Sequence, residues 1–187
     1  MIKSTQRIFI PGSKWVYFKI YAGHKTLENI LVKDVYSIIS KLKKEQIIEK
    51  WFFIRYADPD SHLRIRMLLN DEIKVGDTVN MIYRQLNYLV KDNFIWKIQL
   101  DTYHRELERY GNRLIEDTET LFFRDSECIL SIIRLLNINK NEDFRWMIAL
   151  KLIDCLLSDF NFNLIQKHSL MENISDSFKK EYGFNQY

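Results

Sequence analysis

The segment that most constrains the fold runs from Trp51 to Met67, where two alternating stretches flank a short polar loop. Successive side chains of an extended chain point to opposite faces. On the second stretch apolar and polar side chains alternate, with Leu63, Ile65 and Met67 set against His62, Arg64 and Arg66. The loop holds Pro59 between two aspartates, which is typical of a turn. The segment therefore predicts a β-hairpin.

This hairpin concentrates positive charge. On the first stretch Trp51, Phe53 and Arg55 alternate with Phe52 and Ile54, and we expect Arg55 to share a face with Arg64 and Arg66. Like charges on one sheet face cost about 0.2–1 kcal/mol per pair. Such a cluster needs carboxylates of the chain itself, or an anionic ligand, to offset the repulsion. Guanidinium groups bind carboxylates and phosphates in a two-point fashion.

The rest of the first half predicts an α+β fold. Trp15–Ala22 and 95–103 alternate as strands do, whereas 27–46 and 71–92 carry apolar residues at helical spacing. With the hairpin between the helices, the order is β-α-β-β-α-β, the ferredoxin-like antiparallel sheet. Its helices would cover one sheet face.

The uncovered face is predicted to be aromatic and basic, as a binding face would be. Its predicted members come from every strand: Trp15, Tyr17, Lys19, Tyr21, Phe53, Arg55, His62, Arg64, Arg66, Lys97, Gln99, Asp101 and Tyr103.

The second half is helical in pattern. Four helices are predicted: 114–123, 127–136, 143–157 and 164–181. The 187 residues are therefore predicted to form one compact domain, with an α/β sheet half at 1–104 and a C-terminal helical subdomain at 105–187.

Composition excludes several classes of protein. The net charge of +3 is too small to indicate nucleic-acid binding from bulk charge. No apolar run approaches the ~18 residues of a membrane span, and the N-terminus does not read as a signal peptide, so we expect a cytoplasmic protein. Neither zinc-ligand spacing nor a nucleotide-binding loop occurs, so no metal and no cofactor are expected.

Two function classes remain open from the residues alone. One is an enzyme that binds a carboxylate-bearing substrate on the basic face, with Glu106 and Arg109 as helical neighbours nearby. The other is a module that stacks RNA bases on Trp15, Tyr17 and Phe53. The later helices would partly roof the face, which favours the first class.

Four stretches carry a family resemblance: RIFIPGSKWVYFKIYAG, WFFIRYADPDSHLRIRM, DTYHRELERYGNR and ETLFFRDSE. From about Arg7 to Glu127 the chain resembles the C-terminal domain of lantibiotic dehydratases. The same module occurs free-standing in thiopeptide-type bacteriocin biosynthesis proteins.

The resemblance implies the elimination half of a dehydration, a lyase reaction. A separate dehydratase subunit or domain glutamylates Ser or Thr of a precursor peptide, using glutamyl-tRNA. The C-terminal module then removes the Cα proton and expels glutamate. The resemblance assigns catalytic roles to Arg64, Arg66, Glu106 and Arg109, and substrate-binding roles to Arg55, His62, Tyr103 and Tyr110.

The resemblance also carries alternatives. Related members build the pyridine ring of thiopeptides, and a non-catalytic peptide- or RNA-binding module is a further alternative. In the family a catalytic histidine lies beyond the point where this chain ends, so we expect a truncated or split copy whose elimination activity requires that histidine to be supplied or replaced. The expected partners are the precursor peptide and the glutamylating subunit, without direct contact with nucleic acid; a homo-oligomer stays open.

Overall fold

A computed structural model describes residues 5–139 and 144–183 of the chain. The strands are β1 (Ile8–Phe9), β2 (Trp15–Ala22), β3 (Ile48–Ala57), β4 (Ser61–Leu69), β5 (Ile95–Asp101) and β6 (Tyr103–His104). The helices are α1 (His24–Ile30), α2 (Tyr36–Lys44), α3 (Val75–Lys91), α4 (Leu107–Tyr110), α5 (Ile115–Asn139), α6 (Arg145–Asp159) and α7 (Leu164–Glu181). A π-helical segment, Leu31–Val35, joins α1 to α2, and a 3₁₀ turn, Glu72–Lys74, precedes α3.

The main sheet has the strand order β3-β4-β2-β5, and each neighbouring pair is antiparallel. With α1–α2 between β2 and β3 and α3 between β4 and β5, this is the predicted ferredoxin-like arrangement, and the α+β fold class is confirmed. A second, two-stranded antiparallel sheet joins β1 to β6. The sequence did not predict it, because strands of two residues are too short to show alternation.

The first hydrophobic core lies between the main sheet and α1–α3. β2 contributes Val16, Phe18 and Ile20, and the helices contribute side chains such as Leu42 and Leu86. Full burial of one such aliphatic side chain stabilises the fold by about 1.5–3 kcal/mol. The alternation of β2 and β4 therefore places their apolar sets on the helix-covered face, as predicted. On β5 a register shift brings Ile95 into this core beside Ile98, whereas Trp96, which was predicted to lie there, is 56% exposed.

The prediction for β3 was wrong by one residue. Phe52 lies opposite Arg66 and Ile54 lies opposite Arg64, while Arg55 lies opposite Leu63. Residues directly opposite each other share a sheet face. Arg55 and Phe53 therefore lie on the helix-covered side, and the face with Arg64 and Arg66 does not carry a third arginine from β3.

A second, aromatic core lies on the opposite face of the sheet. Trp15 from β2 stands edge-on to Tyr103 of β6 at 5.1 Å and to Phe52 of β3 at 5.7 Å. Phe9 of β1 stacks on Tyr103 at 6.0 Å, and Phe122 of α5 contacts Phe52 at 5.4 Å. The short second sheet and the first half of α5 therefore roof one end of this face.

α5 is one continuous helix where the sequence predicted two. It lies along the edge strand β3: the backbone N–H of Phe53 donates to Ser126 Oγ at 3.1 Å, and Lys50 Nζ donates to Thr120 Oγ1 at 2.9 Å. Covering an edge strand in this way satisfies groups that would otherwise pair with another chain.

The chain divides into two compact units, residues 1–135 and 136–187. The sequence predicted one compact domain with its change of structure after residue 104. The division at residue 135 leaves most of α5 in the first unit, where this helix packs on the β3 edge and contributes Leu130 and Ile133 to the first core. The predicted halves at 1–104 and 105–187 stay a prediction.

The second unit contains α6 and α7. α7 has the predicted bounds and begins with a capping box, in which Asn163 and Gln166 each bond the other's backbone N–H. The predicted start of α6 at Asp143 lies outside the described residues. None of residues 144–183 is buried. Across the described parts of the chain, every helix is too short or too polar to cross a membrane.

Candidate functional site

Arg64 and Arg66 leave β4 on the sheet face opposite α1–α3, which we call the arginine face. Positions two apart on a strand lie about 7 Å from each other. Lys19 of the neighbouring strand lies opposite Arg64, and Tyr17 lies opposite Arg66. The alternation of β2 and β4 thus places two guanidinium groups and one ammonium group among aromatic rings.

The Arg66 guanidinium is enclosed by three rings. Its Cζ atom lies 4.3 Å from the centre of Tyr17, 5.0 Å from that of Tyr103 and 5.3 Å from that of Phe52. Its buried Nε atom has no hydrogen-bond partner among the described residues. Burial lowers the pKa of Arg66 below its ordinary value, although the nearby tyrosines act in the other direction. The group is therefore a desolvated cation with an unused donor.

The Arg64 guanidinium is held by two contacts. Its Nε donates to Nε2 of His62 at 3.1 Å, and its Cζ lies 3.7 Å from the centre of the Tyr56 ring. His62 is 1% exposed and stacks on Tyr21 with ring centres 4.6 Å apart. Its Nδ1 lies 2.8 Å from the carbonyl oxygen of Asp60 in the hairpin loop.

Lys19 on the same face is neutralised within the chain. Its Nζ lies 2.5 Å from Asp101 Oδ2, and this hydrogen bond is the main cause that raises the pKa of Lys19. Burial acts to raise the pKa of Asp101, but hydrogen bonds from Lys19 and from the N–H of Thr102 outweigh it, so that pKa is lowered. By contrast, neither Arg64 nor Arg66 forms an ion pair with any residue of the described ranges.

Glu106 and Arg109 form an ion pair of 3.2 Å beside α4, and their side chains are 61% and 69% exposed. The charge of Glu106 acts to raise the pKa of Arg66, so this carboxylate lies near the arginine face. A hydrogen bond with Tyr110 is the main cause that raises the pKa of Arg109. The Tyr110 ring stands edge-on to Phe122 at 5.5 Å.

Arg55 does not join the cluster. Besides lying on the other sheet face, its Nη1 pairs with Glu28 Oε2 at 3.4 Å. The expectation that Arg55 shares a sheet face with Arg64 and Arg66 is therefore wrong, and its substrate-binding role stays a prediction of the resemblance.

Sequence analysis missed a buried ionic network beneath the site. Arg105 Nε and Nη2 donate to the two oxygens of Glu119, each at 2.7 Å, and the Tyr103 hydroxyl donates to Glu119 Oε1 at 2.9 Å. Burial, with the charge of Glu119, raises the pKa of Tyr103 strongly. Tyr103 therefore presents its ring, rather than its hydroxyl, to Arg66. A signal was available, since Arg105 follows Tyr103 at strand spacing within the DTYHRELERYG motif.

Within residues 5–139 and 144–183, no three His, Cys, Asp or Glu side chains are grouped so that they could hold a metal ion. The chemistry that this arrangement supports is the binding of anions. Two fixed guanidinium groups, one of them largely desolvated, can each bind a carboxylate.

The described geometry can be compared with known proteins. The family described as "Lantibiotic biosynthesis dehydratase C-term" matches residues 15–187. The subtilin biosynthesis protein SpaB of Bacillus subtilis is 24% identical over 95% of this chain, and the nisin biosynthesis protein NisB of Lactococcus lactis subsp. lactis is 23% identical over 95% of it. The chain spans only 18% of the length of each of these relatives.

Solved structures show the same fold. The tRNA-dependent lantibiotic dehydratase MibB from Microbispora sp. 107891 superposes with a TM-score of 0.61 and 30% identity, over 67% of this chain and 12% of that one. TsrL superposes with a TM-score of 0.56 over 72% of this chain and 38% of that one, and at 13% identity this shows the fold alone. Because the family match covers nearly the whole sequence, this chain belongs to the family of lantibiotic biosynthesis dehydratase C-terminal domains.

Proposed function

We propose that the arginine face takes part in the dehydration of a ribosomally made precursor peptide, by eliminating glutamate from glutamylated Ser or Thr. The observation that carries the proposal is the pairing of Arg64 and Arg66 on one sheet face without a carboxylate partner among the described residues. A desolvated cation such as Arg66 is costly unless an anion pairs with it. A bound carboxylate would offset that cost.

The elimination of glutamate involves two carboxylate groups, which is the number that Arg64 and Arg66 could bind. A base takes the Cα proton, its electrons form the Cα=Cβ double bond, and the Cβ–O bond breaks. Glutamate then leaves with the electron pair of that bond as a carboxylate. The glutamyl group thus presents one carboxylate, on its side chain, before the reaction and gains a second one as the bond breaks.

The two arginines would have different tasks in this scheme. One binds the side-chain carboxylate in the substrate complex, whereas the other stabilises charge that develops only as the leaving group departs. Fixed donors aimed at developing charge are the larger source of catalysis, since they need no reorganisation during the reaction. Glu106 and Arg109, which pair with each other at α4, would close the site on its exposed side.

The partners are proposed from the relatives. SpaB and NisB are biosynthesis proteins of the lantibiotics subtilin and nisin, which supports a precursor peptide as substrate. A glutamylating dehydratase subunit that uses glutamyl-tRNA would supply the modified residue. The description of MibB as tRNA-dependent supports that part of the proposal.

The geometry disfavours the RNA-binding alternative. That alternative needs Trp15, Tyr17 and Phe53 as an open stacking platform. Trp15 and Tyr17 are 1% and 4% exposed, and Phe53 faces the first core on the other side of the sheet. The rings are therefore occupied by the fold itself.

A binding experiment tests the proposal. The probes are a serine peptide, its glutamyl ester and an amide-linked glutamyl analogue that cannot eliminate, each titrated calorimetrically. We expect the glutamyl forms to bind and the unmodified peptide to bind at least 10-fold more weakly, since a hydrogen bond to a charged group contributes about 1.5–3 kcal/mol. Arg66→Ala should remove this preference.

The matched control is Arg84→Ala, because Arg84 lies exposed on α3, which covers the opposite sheet face. It should bind like the wild type. Equal affinity of the wild type for modified and unmodified peptides would reject the proposal.

A further inference from the structure

We infer that His62 is a positioning residue that holds Arg64 in place, and that it does not act as a base or as a ligand of the substrate. The inference rests on the proposed function, because it takes Arg64 as an anion-binding group. It reassigns a histidine that the sequence favoured as a substrate contact.

The hydrogen bonds of His62 admit one protonation state. Arginine only donates hydrogen bonds, so Nε2 of His62, 3.1 Å from Arg64 Nε, must offer its lone pair. A carbonyl oxygen only accepts, so Nδ1, 2.8 Å from the oxygen of Asp60, must carry the hydrogen. The ring is therefore the neutral Nδ1–H tautomer, and both nitrogens are in use. A ring in this state, with 1% of its surface exposed, has no nitrogen left for a substrate proton.

Aromatic packing fixes the plane of the ring. Tyr21 of β2 stacks on His62 at 4.6 Å, and Tyr56 of β3 stands edge-on to it at 5.7 Å. Tyr56 also underlies the Arg64 guanidinium at 3.7 Å. The hairpin loop, the imidazole and the guanidinium thus form a chain of contacts, from the Asp60 carbonyl to Arg64.

The consequence for Arg64 is a fixed orientation. Its Nε donor is taken by His62, so the two Nη groups remain as the fork that binds a carboxylate through two parallel hydrogen bonds. An arginine side chain that is already ordered loses less conformational entropy when the anion binds. His62 should therefore contribute to affinity only through Arg64.

Two substitutions of His62 distinguish the contribution of its hydrogen-bond acceptor from that of its aromatic ring. His62→Phe keeps an aromatic ring beside Tyr21 and removes the acceptor, whereas His62→Gln supplies an amide oxygen that can accept from Arg64 Nε. We expect His62→Phe to weaken binding of the amide-linked glutamyl peptide about 10-fold, in line with the loss of one charge-assisted hydrogen bond. His62→Gln should restore most of this loss.

A double-mutant cycle tests whether the effect passes through Arg64. In an Arg64→Ala background, His62→Phe should cause no further loss of affinity, because the group that it positions is gone. An equal loss in both backgrounds would refute a positioning role. Urea unfolding of each variant checks that the fold is retained.

A spectroscopic measurement on the unliganded protein is independent of the proposed function. Nitrogen-15 NMR of His62 should show a protonated Nδ1 and an unprotonated, hydrogen-bonded Nε2, and Arg64→Ala should shift the Nε2 resonance. A protonated Nε2, or an Nε2 resonance unchanged by Arg64→Ala, would overturn the inference. If the wild type fails to bind the glutamyl peptide but shows these NMR signatures, the proposed function fails while the His62–Arg64 contact stands.

Discussion

Replacing Arg66 by methionine should remove anion binding without unfolding the domain. Replacing a residue that stabilises the fold by packing lowers the unfolding free energy. Replacing a residue that serves to bind a ligand can leave the unfolding free energy unchanged or even raise it. Arg66 shows the features of the second kind: its buried Nε has no partner in the described parts of the chain, and burial lowers its pKa. Methionine is unbranched, of similar length, and able to contact aromatic rings.

The magnitude follows from three opposing contributions. An unsatisfied buried donor costs about 1–3 kcal/mol, and Arg66→Met removes that cost. The substitution also loses three cation–ring contacts, at about 0.5–1 kcal/mol each, and sulfur–aromatic contacts return about 0.3–1.5 kcal/mol. The sum is close to zero, so we expect the unfolding free energy to stay within about 1 kcal/mol of the wild type.

The matched control is Arg105→Met, a second buried arginine on the same side of the sheet. Arg105 binds both oxygens of Glu119 at 2.7 Å, so its removal leaves a buried carboxylate without its partner. Breaking a buried ion pair from one side costs about 3–5 kcal/mol. The two substitutions are chemically identical and should differ by at least about 2 kcal/mol.

Urea unfolding followed by tryptophan fluorescence is a suitable assay, because Trp15 and Trp51 are buried in the two cores of the first unit. Titration with the glutamyl peptide on the same samples measures binding. A loss of stability in Arg66→Met as large as that in Arg105→Met would refute the reasoning. It would mean that the three rings hold Arg66 as a structural cation.

Two further predictions concern stability. Ser126→Ala should lower the unfolding free energy by about 1–2 kcal/mol, because it leaves the Phe53 N–H at the β3 edge without its acceptor; Ser131→Ala, on the exposed side of α5, should change it by less than about 0.5 kcal/mol. Asp101→Asn should be less stable than the wild type at pH 7. The difference should begin to shrink as the pH falls below about 3.8, the ordinary value for this carboxyl, and vanish below the lower folded-state pKa. The sign follows from the lowered pKa of Asp101, whose stabilising contribution is present above the unfolded-state pKa and lost as the folded-state group is protonated. The raised pKa of Lys19 keeps its own contribution constant until the pH exceeds about 10.5. A pH-independent difference in urea unfolding would show that Asp101 acts through packing rather than charge.

The sequence predicted the sheet well where one face of a strand is buried and the alternation is regular. β2 carries Val16, Phe18 and Ile20 against the helices, and its observed bounds are those predicted. β4 follows the same rule, whereas on β5 a register shift places Ile95 rather than Trp96 in the core. The order of elements then left few topologies, because a strand-helix-strand unit crosses over in one hand.

β3 could not be assigned in the same way. Its sequence WFFIRYA has large apolar side chains on both faces near Trp51, so alternation does not identify the buried side. The face is decided by the loop, which spans Asp58–Asp60 and places Ala57 opposite Ser61. A difference of one residue in register places every side chain on the other face. For this reason Arg55 lies on the face opposite Arg64, and not on the same face as predicted.

The spacing of charged residues in the sequence also could not predict which of them are buried. Glu106 and Arg109 stand out in sequence because side chains three apart on a helix are neighbours, yet both are mainly exposed. Arg105 and Glu119 are fourteen positions apart and meet only because β6 and α5 pack together. Local sequence shows which charged residues can pair as neighbours, whereas tertiary packing determines which ion pairs are buried.

The same distinction bears on why the arginine face is a candidate site. The sequence offered two ways to offset the repulsion among its cations, namely carboxylates within the chain or an anionic ligand. The fold applies the first way to the cations on and around this face: Lys19 pairs with Asp101, Arg105 with Glu119, and Arg109 with Glu106. Arg64 and Arg66 are not paired in this way with any described residue, although Glu106 lies near enough to affect the pKa of Arg66. The fold thus places carboxylates beside the surrounding cations but leaves two adjacent guanidinium groups among aromatic rings. This arrangement is best explained if a ligand brings the anions that bind these two groups. A glutamyl ester undergoing elimination would supply two carboxylates.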